Sequence, residues 1–185
     1  KHLPEMHQGA FGDRRTRLLH EDARAYLEKT TDRFDLIVVD LVGPLEQGPA
    51  CLLFTKEFYT LIRDRLTDQG VMTMQAGMTK VNEIFFHGAV NRTLQEVFPV
   101  VAPYQSFISC FGTPWGFILA SKGTDPRTQS AAEIDRLIAE RLDPKQLGYW
   151  DGQAHLHSFN LPKFLRVAIE KNDRVITDKN PLIVT

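Results

Sequence analysis

The chain has 185 residues, of which 43% are hydrophobic and 24% charged, which is the composition of one ordinary soluble globular domain. Because 22 basic residues nearly balance 23 acidic ones without forming a basic run, neither a nucleic-acid footprint nor an anionic membrane surface is expected as a partner. No apolar run approaches the ~20 residues of a membrane span. The two cysteines, Cys51 and Cys110, argue against a disulfide framework and a zinc site, and a reducing cytoplasm is the expected location.

The hydrophobic period switches several times along the chain between strand-like and helix-like spacing, which is typical of an α/β domain. The predicted strands, in chain order, are residues 16–20, 34–39, 71–74, 99–109 and 115–121. The predicted helices are residues 22–29, 56–66, 81–97, 131–141 and 162–170. Residues 68–70 predict a turn, and a tight turn at 112–114 joins the last two strands.

This order, with alternating strands and helices and a closing pair of strands, predicts the C-terminal half of a methyltransferase-like Rossmann fold. Its core is expected over about residues 14–122, with a C-terminal helical segment over about 130–185. The run 34–39 is polar on neither face, as in a strand buried in a parallel sheet. Ligands bind such sheets at the carboxyl ends of the strands, which directs attention to Asp22, Asp40 and Gln75.

Each of these three residues allows a structural and a functional interpretation. Asp22 opens a helix, where a carboxylate is favoured by the helix dipole, or it accepts a hydrogen bond from the exocyclic amine of a bound nucleoside. Asp40 terminates a strand, or it supplies a carboxylate at the mouth of the sheet. Gln75 forms a cap or loop hydrogen bond, or its amide contacts a ligand.

A series of ordered blocks runs through nearly the whole chain. The blocks are residues 34–40, 43–44, 48–50, 53–54, 57–59, 70–75, 98–101, 115–117, 149–152 and 159–162. Together they resemble the signature of the polyamine aminopropyltransferases, the spermidine and thermospermine synthase family. A match over so many blocks is far more specific than any single motif.

The resemblance implies transfer of an aminopropyl group from decarboxylated S-adenosylmethionine to a polyamine, with that sulfonium as co-substrate and no other cofactor. Asp40 matches the family's catalytic base. The donor positions are expected to be Asp22, Ala23, Pro49, Ala50 and Leu53. The acceptor positions are expected to be Gln75, Tyr149, Asp151 and Glu46. Family members commonly form dimers or tetramers, so a homo-oligomer is expected.

One position departs from the family pattern. Members usually carry a second aspartate three residues after the catalytic one, where this sequence has Gly43. Either the acceptor differs, or another acid such as Glu46 substitutes, or activity is lost, and a changed acceptor site is favoured because Asp40 and Gln75 are kept. The insertion at residues 45–47 and the pair Trp115-Gly116 resemble thermospermine-type and triamine-type members more than putrescine-specific ones. The alternatives are a non-catalytic relative and a methyl-transferring relative with the same fold.

The family's Gly-rich donor loop and the acidic residue of the second strand are not found in this sequence, so the N-terminal strands of the fold are expected to precede Lys1. His155 and His157 form a His-x-His pair without a third ligand at suitable spacing, so no metal site is predicted.

Overall fold

A computed structural model of the protein describes residues 2–44 and 49–183. The chain divides into two compact units, Lys1–Thr30 and Thr31–Thr185. Among the described residues, no helix combines the length and apolar character needed to span a membrane.

The first unit contains two helices and no strand within its described residues. Helix α1 (Pro4–His7) is followed by a 3₁₀ turn at Ala10–Gly12 and by helix α2 (Ala23–Lys29). The predicted strand at 16–20 is wrong, because an isolated extended segment gains no ladder hydrogen bonds and no described strand pairs with it. Asp22 therefore caps a helix after a loop and does not end a strand of the sheet.

Within its described residues, the second unit is built on a sheet of four strands. They are β1 (Phe34–Val39), β2 (Leu66–Met78), β3 (Val100–Ile108) and β4 (Thr113–Ser121), in the spatial order β1-β2-β4-β3. Strand β1 pairs with β2 in parallel, and β4 pairs antiparallel with both β2 and β3. The α/β class and the closing antiparallel hairpin are thus confirmed. Strands β1, β2 and β3 all end at the same side of the sheet, where β4 begins. This side, which the strand ends form, is called the sheet edge and differs from an edge strand.

Strand β2 is much longer than the predicted 71–74, and the turn predicted at 68–70 lies inside it. Phe34 lies opposite Leu66, whereas Leu36, two residues further along β1, lies opposite Val71, five residues further along β2. Strand β2 therefore has extra residues at this point and is irregular there. Gly70 permits it, since a Cβ atom there would lie 2.8 Å from the carbonyl oxygen of Phe34. Turn-forming residues have therefore produced a bulge in a continuous strand.

Strand β1 forms the edge of the sheet and pairs only with β2 among the described strands. Leu36 and Val38 lie on the same face of β1 and are 55% and 61% exposed, whereas Val39 is buried. The prediction that this apolar run is buried on both faces is therefore wrong for the described chain. Among the described residues, β1 packs mainly against β2, so the face that carries Leu36 and Val38 is left open.

Within its described residues the second unit has five α-helices. They are α3 (Lys56–Arg65), α4 (Phe85–Gln95), α5 (Ala131–Arg141), α6 (Gly152–Phe159) and α7 (Lys163–Glu170). Helices α3, α4 and α6 pack against the sheet, while α5 packs on α6 and α7 on α4. The core contains Phe54, Ile62, Met72, Leu94 and Ile118, each with no exposed surface. Helix α4 begins at Phe85 and not at the predicted residue 81, because residues 81–84 form turns, and α6 was not predicted.

Candidate functional site

The sheet edge where the strand ends meet carries a groove of about 610 Å³. Asp40 directly follows β1, and Val39 lies opposite Met74 in the parallel pairing, so Asp40 is level with Gln75 on the neighbouring strand. Adjacent strands are about 5 Å apart, which places the two residues side by side at the groove. The described residues that line it are Asp40, Leu41, Val42, Gly43, Gln75, Ile108, Phe111, Trp115 and Phe117.

The amide of Gln75 connects three parts of this groove. Its Nε2 donates to the carbonyl oxygen of Leu41, in the loop after β1. Its Oε1 accepts from the indole Nε1 of Trp115 at 3.0 Å and from the backbone N–H of Gly77 at 3.1 Å. Both amide atoms are therefore engaged by the protein. The loop hydrogen bond considered from the sequence is present, and it ties the segment next to Asp40 to the aromatic wall.

A buried histidine lies beneath this part of the sheet. His87 on α4 has no exposed surface, and its Nδ1 is 3.3 Å from the carbonyl oxygen of Ala76, the residue after Gln75. A Cβ atom at Gly116 would lie 2.3 Å from the same Nδ1, so β4 and the imidazole are in close contact. Burial lowers the pKa of His87 to about 4, and the ring is neutral at pH 7.

A second groove, of about 510 Å³, adjoins the first. Gly43, Gln75 and Trp115 line both grooves. The other described residues that line the second groove are Gly77, Met78, Asn82, Glu83, Phe85, Phe86, Leu182 and Ile183. The two grooves thus meet at Gly43, where a Cβ atom would have no neighbour within 4 Å.

Both grooves are lined by an acidic side chain and by no basic one among their described residues. Among the described residues that line them, the charged groups are Asp40 in the first and Glu83 in the second, and neither a lysine nor an arginine takes part. The remaining surface is largely aromatic and aliphatic. Phe111 and Trp115 pack with ring centroids 4.6 Å apart at one wall. Carboxylates set in aromatic walls suit a ligand whose positive charges are separated by methylene groups.

The other predicted acceptor residues occupy different positions. Tyr149 is 63% exposed, and its hydroxyl is 3.1 Å from Ser106 Oγ, on the residue of β3 that pairs with Trp115. Tyr149 therefore lies near the same sheet edge, although it does not line either groove. Asp151 caps α6, where its Oδ1 accepts from the N–H of Ala154 at 2.7 Å. Glu46 falls outside the described residues.

The predicted donor residues fall in both units of the chain. In the first unit, Asp22 caps α2 by accepting from the N–H of Ala25 at 2.9 Å, and Ala23 is the first residue of that helix. In the second unit, Pro49, Ala50 and Leu53 belong to a 3₁₀ helix, Pro49–Leu53, and Ala50 and Leu53 are partly buried. The roles of these donor residues remain predictions.

Four residues that line the grooves were not among the site residues predicted from the sequence: Phe111, Trp115, Phe117 and Glu83. Trp115 and Phe117 are half-buried and line the first groove. The predicted order of the strands could have identified Trp115 and Phe117 as site residues. In that fold β4 starts at the sheet edge where β1 and β2 end, so the first residues of β4 lie at the site.

One histidine of the His155/His157 pair on α6 has a structural role. His155 is buried, and its Nε2 lies 2.8 Å from the carbonyl oxygen of Pro126. Across residues 2–44 and 49–183, no group of three or more His, Cys, Asp or Glu side chains is arranged to hold a metal ion.

Curated relatives are similar to this chain over 98–100% of its length. Polyamine aminopropyltransferase 2 of Hyperthermus butylicus is 38% identical over 100% of the chain and 60% of its own length. The polyamine aminopropyltransferase of Synechococcus sp. strain JA-2-3B'a(2-13) is 39% identical over 98% of the chain and 59% of its own length. The chain thus spans about 60% of these curated relatives.

Solved structures show the same fold. Spermidine synthase from Thermotoga maritima superposes with a TM-score of 0.76 and 27% identity, over 92% of this chain and 55% of the other. A spermidine synthase in complex with the transition state analogue AdoDATO superposes with a TM-score of 0.74 and 26% identity, over 92% and 54%. The fold is methyltransferase-like, as predicted. The model of the Spermine/spermidine synthase domain matches residues 1–131, and the chain therefore belongs to the spermine/spermidine synthase family.

Proposed function

We propose that this chain carries the acceptor side of an aminopropyltransferase, which moves an aminopropyl group from decarboxylated S-adenosylmethionine to a polyamine and releases methylthioadenosine. The observation that carries the proposal is Asp40 at the strand-end groove, facing aromatic walls and no lysine or arginine among the described lining residues. The relatives named polyamine aminopropyltransferase and the spermidine synthase bound to AdoDATO support the same activity.

The proposed reaction has modest chemical demands. The amine attacks the carbon beside the sulfonium in line, and the leaving group is a neutral thioether that needs no general acid. The attacking alkyl amine has a pKa near ~10 and is protonated at neutral pH. Asp40 holds this ammonium, accepts its proton as attack proceeds, and favours the cationic donor electrostatically. No metal or redox group has a role in this chemistry.

The donor is proposed to bind through Asp22, Ala23, Pro49, Ala50 and Leu53, which match family donor positions. A carboxylate carries two oxygens with several acceptor sites, so the capping bond of Asp22 leaves it able to accept from an exocyclic adenine amine. Gln75, Tyr149, Asp151 and Glu46 are proposed on the acceptor side. For Asp151, the cap on α6 supplies a second, structural reason for the carboxylate.

Incubation of the full-length protein with decarboxylated S-adenosylmethionine and a panel of diamines, triamines and tetraamines tests the activity. Methylthioadenosine should appear with at least one amine. Its absence with every amine would overturn the proposal and leave a non-catalytic relative. Transfer of a methyl group from S-adenosylmethionine to the same amines would instead favour a methyltransferase.

We propose that the acceptor is a triamine or a longer polyamine, because Gly43 leaves open space where family members usually place a second carboxylate. Gly43→Asp should shift the preference toward diamines, raising kcat/KM for a diamine relative to a triamine by about tenfold. The substitution is sterically mild, since a Cβ atom at Gly43 meets nothing within 4 Å. Gly123→Asp is a matched control, since Gly123 is equally open and lines neither groove. An unaltered ratio in Gly43→Asp would argue against the altered acceptor site.

Gln75→Leu should lower kcat/KM by about tenfold, because it removes three hydrogen bonds that position the loop after Asp40 and the indole of Trp115. Tryptophan fluorescence should change as well, since Trp115 Nε1 loses its acceptor. A variant with normal fluorescence and normal kinetics would show that the amide does not position these groups. Gln153→Leu, an exposed change on α6, is the control.

We also propose a cytoplasmic location and a homo-oligomer, either a dimer or a tetramer. Cys51 and Cys110 are both free thiols, which fits a reducing compartment. Light scattering on the full-length protein measures the oligomeric state.

A further inference from the structure

The second groove has no part in the chemistry described above, yet it adjoins the groove that contains Asp40. Gly43, Gln75 and Trp115 belong to both. Each groove alone has a volume typical of a small-molecule site. An extended ligand that starts at Asp40 can therefore pass Gly43 and continue along the indole of Trp115 into the second groove.

Glu83 is the acid among the described residues of this second groove. It lies in the turn between β2 and α4, where its backbone N–H donates to the carbonyl oxygen of Lys80 at 2.9 Å. Its side chain is 43% exposed, and Lys80 Nζ lies 3.8 Å from Oε1. A charge-assisted hydrogen bond is about 2.7–2.9 Å long, so this pair is loose, and the carboxylate retains the capacity to accept from another ammonium.

The aromatic surroundings of Glu83 fit the alkyl part of the same ligand. Phe85 is 57% exposed and lines the groove beside Glu83, and Trp115 forms the passage from the first groove. Methylene segments gain from contact with such rings, and an ammonium above a ring face is attracted by its quadrupole. Asp40 and Glu83 therefore offer one carboxylate in each of two adjoining grooves whose described lining is largely apolar.

We propose that the second groove is the binding subsite for the distal part of the acceptor, and that Glu83 is a specificity-determining residue that binds the far ammonium of a triamine or tetraamine. This inference rests on the proposed aminopropyl transfer. It assigns the acceptor length to two features together, the open passage at Gly43 and the carboxylate at Glu83.

The test compares wild type, Glu83→Gln and Glu83→Lys in the full-length protein, with decarboxylated S-adenosylmethionine as donor and with 1,4-diaminobutane, spermidine and spermine as acceptors. In Glu83→Gln, the kcat/KM for the longer amines relative to the diamine should fall about tenfold, mainly through KM. Glu83→Lys should lower this ratio further, because it adds a repulsive charge. Glu140→Gln is the matched control, since Glu140 is similarly exposed on α5 and pairs with Arg136.

Binding of spermidine measured by calorimetry provides a second readout that does not depend on turnover. Its Kd should rise about tenfold in Glu83→Gln and stay at the wild-type value in Glu140→Gln. If wild type forms methylthioadenosine but Glu83→Gln keeps the wild-type ratio and Kd, the subsite is overturned while the transferase activity stands. If wild type neither reacts with nor binds any of the amines, the proposed function itself fails.

Discussion

Asp40→Asn is expected to lower kcat for amine transfer at pH 7 by about a thousandfold, within the range that positioned proton acceptors contribute. Asparagine keeps the size of the side chain but neither accepts the proton nor attracts the ammonium. Asp40 is exposed at the end of β1 and lines the first groove, so the substitution should leave the fold intact. Release of methylthioadenosine measures the rate.

The pH profile distinguishes a lost proton acceptor from a merely damaged site. Without the carboxylate, the reaction depends on the fraction of amine that is already neutral. The rate of Asp40→Asn should therefore rise about tenfold for each pH unit below the amine pKa of ~10. Wild type should have a much flatter profile near neutrality. Asp68→Asn, near the opposite end of β2, is the control, and full activity of Asp40→Asn at pH 7 would remove Asp40 from the role of base.

The second large effect concerns stability at acid pH. The pKa of His87 is lowered by burial from 6.5 to about 4, so the unfolded chain binds a proton in this window and the folded protein does not. The contribution of His87 to the free energy of unfolding is fully present above pH 6.5 and is lost as pH falls toward 4. The loss between pH 7 and pH 4 should be about 3 kcal/mol, from the pKa difference alone.

Denaturant unfolding at pH 7, 5.5 and 4 measures this loss in wild type and in His87→Gln. The variant cannot titrate, so its free energy of unfolding should decline by about 3 kcal/mol less than that of wild type over the same range. The comparison uses the change in the free energy of unfolding with pH and not its absolute value. It therefore removes any destabilisation that glutamine causes by repacking beside Gly116. His157→Gln replaces an exposed histidine on α6 and should retain the wild-type pH dependence. Equal slopes in His87→Gln and wild type would contradict the prediction.

Prediction from the sequence was most accurate for elements whose local residue preferences agree with their place in the fold. Helix α5 was predicted over 131–141 and is found at Ala131–Arg141, because Ser130 and Glu133 form a capping box and the apolar spacing is regular. Helix α6 was missed, since it begins at Gly152 and contains two histidines. Its start depends on the cap from Asp151. A helix that relies on a cap and on packing has a weak local signal.

The candidate site was predictable in its backbone frame but not in its side-chain arrangement. Asp40 and Gln75 were identified because a strand followed by a loop is visible locally. Gln75 is hydrogen-bonded to Leu41, which lies 34 positions away in the sequence, and to Trp115, which lies 40 positions away. Such partnerships depend on strand order and register, which a single sequence does not determine. The prediction of a strand at residues 16–20 is wrong for the same reason, because this segment has no partner strand among the described residues.

The edge position of β1 affects how this chain can be handled as an isolated molecule. A parallel edge strand with Leu36 and Val38 facing solvent combines unpaired backbone groups with an apolar face, and natural proteins usually protect such an edge with charge, proline or a covering element. The single charge within β1 is Asp35, whose carboxylate accepts from Thr67 Oγ1 at 2.8 Å. Among the described residues, β1 therefore presents a template for strand addition, and a second extended chain of matching apolar pattern is expected to pair with it.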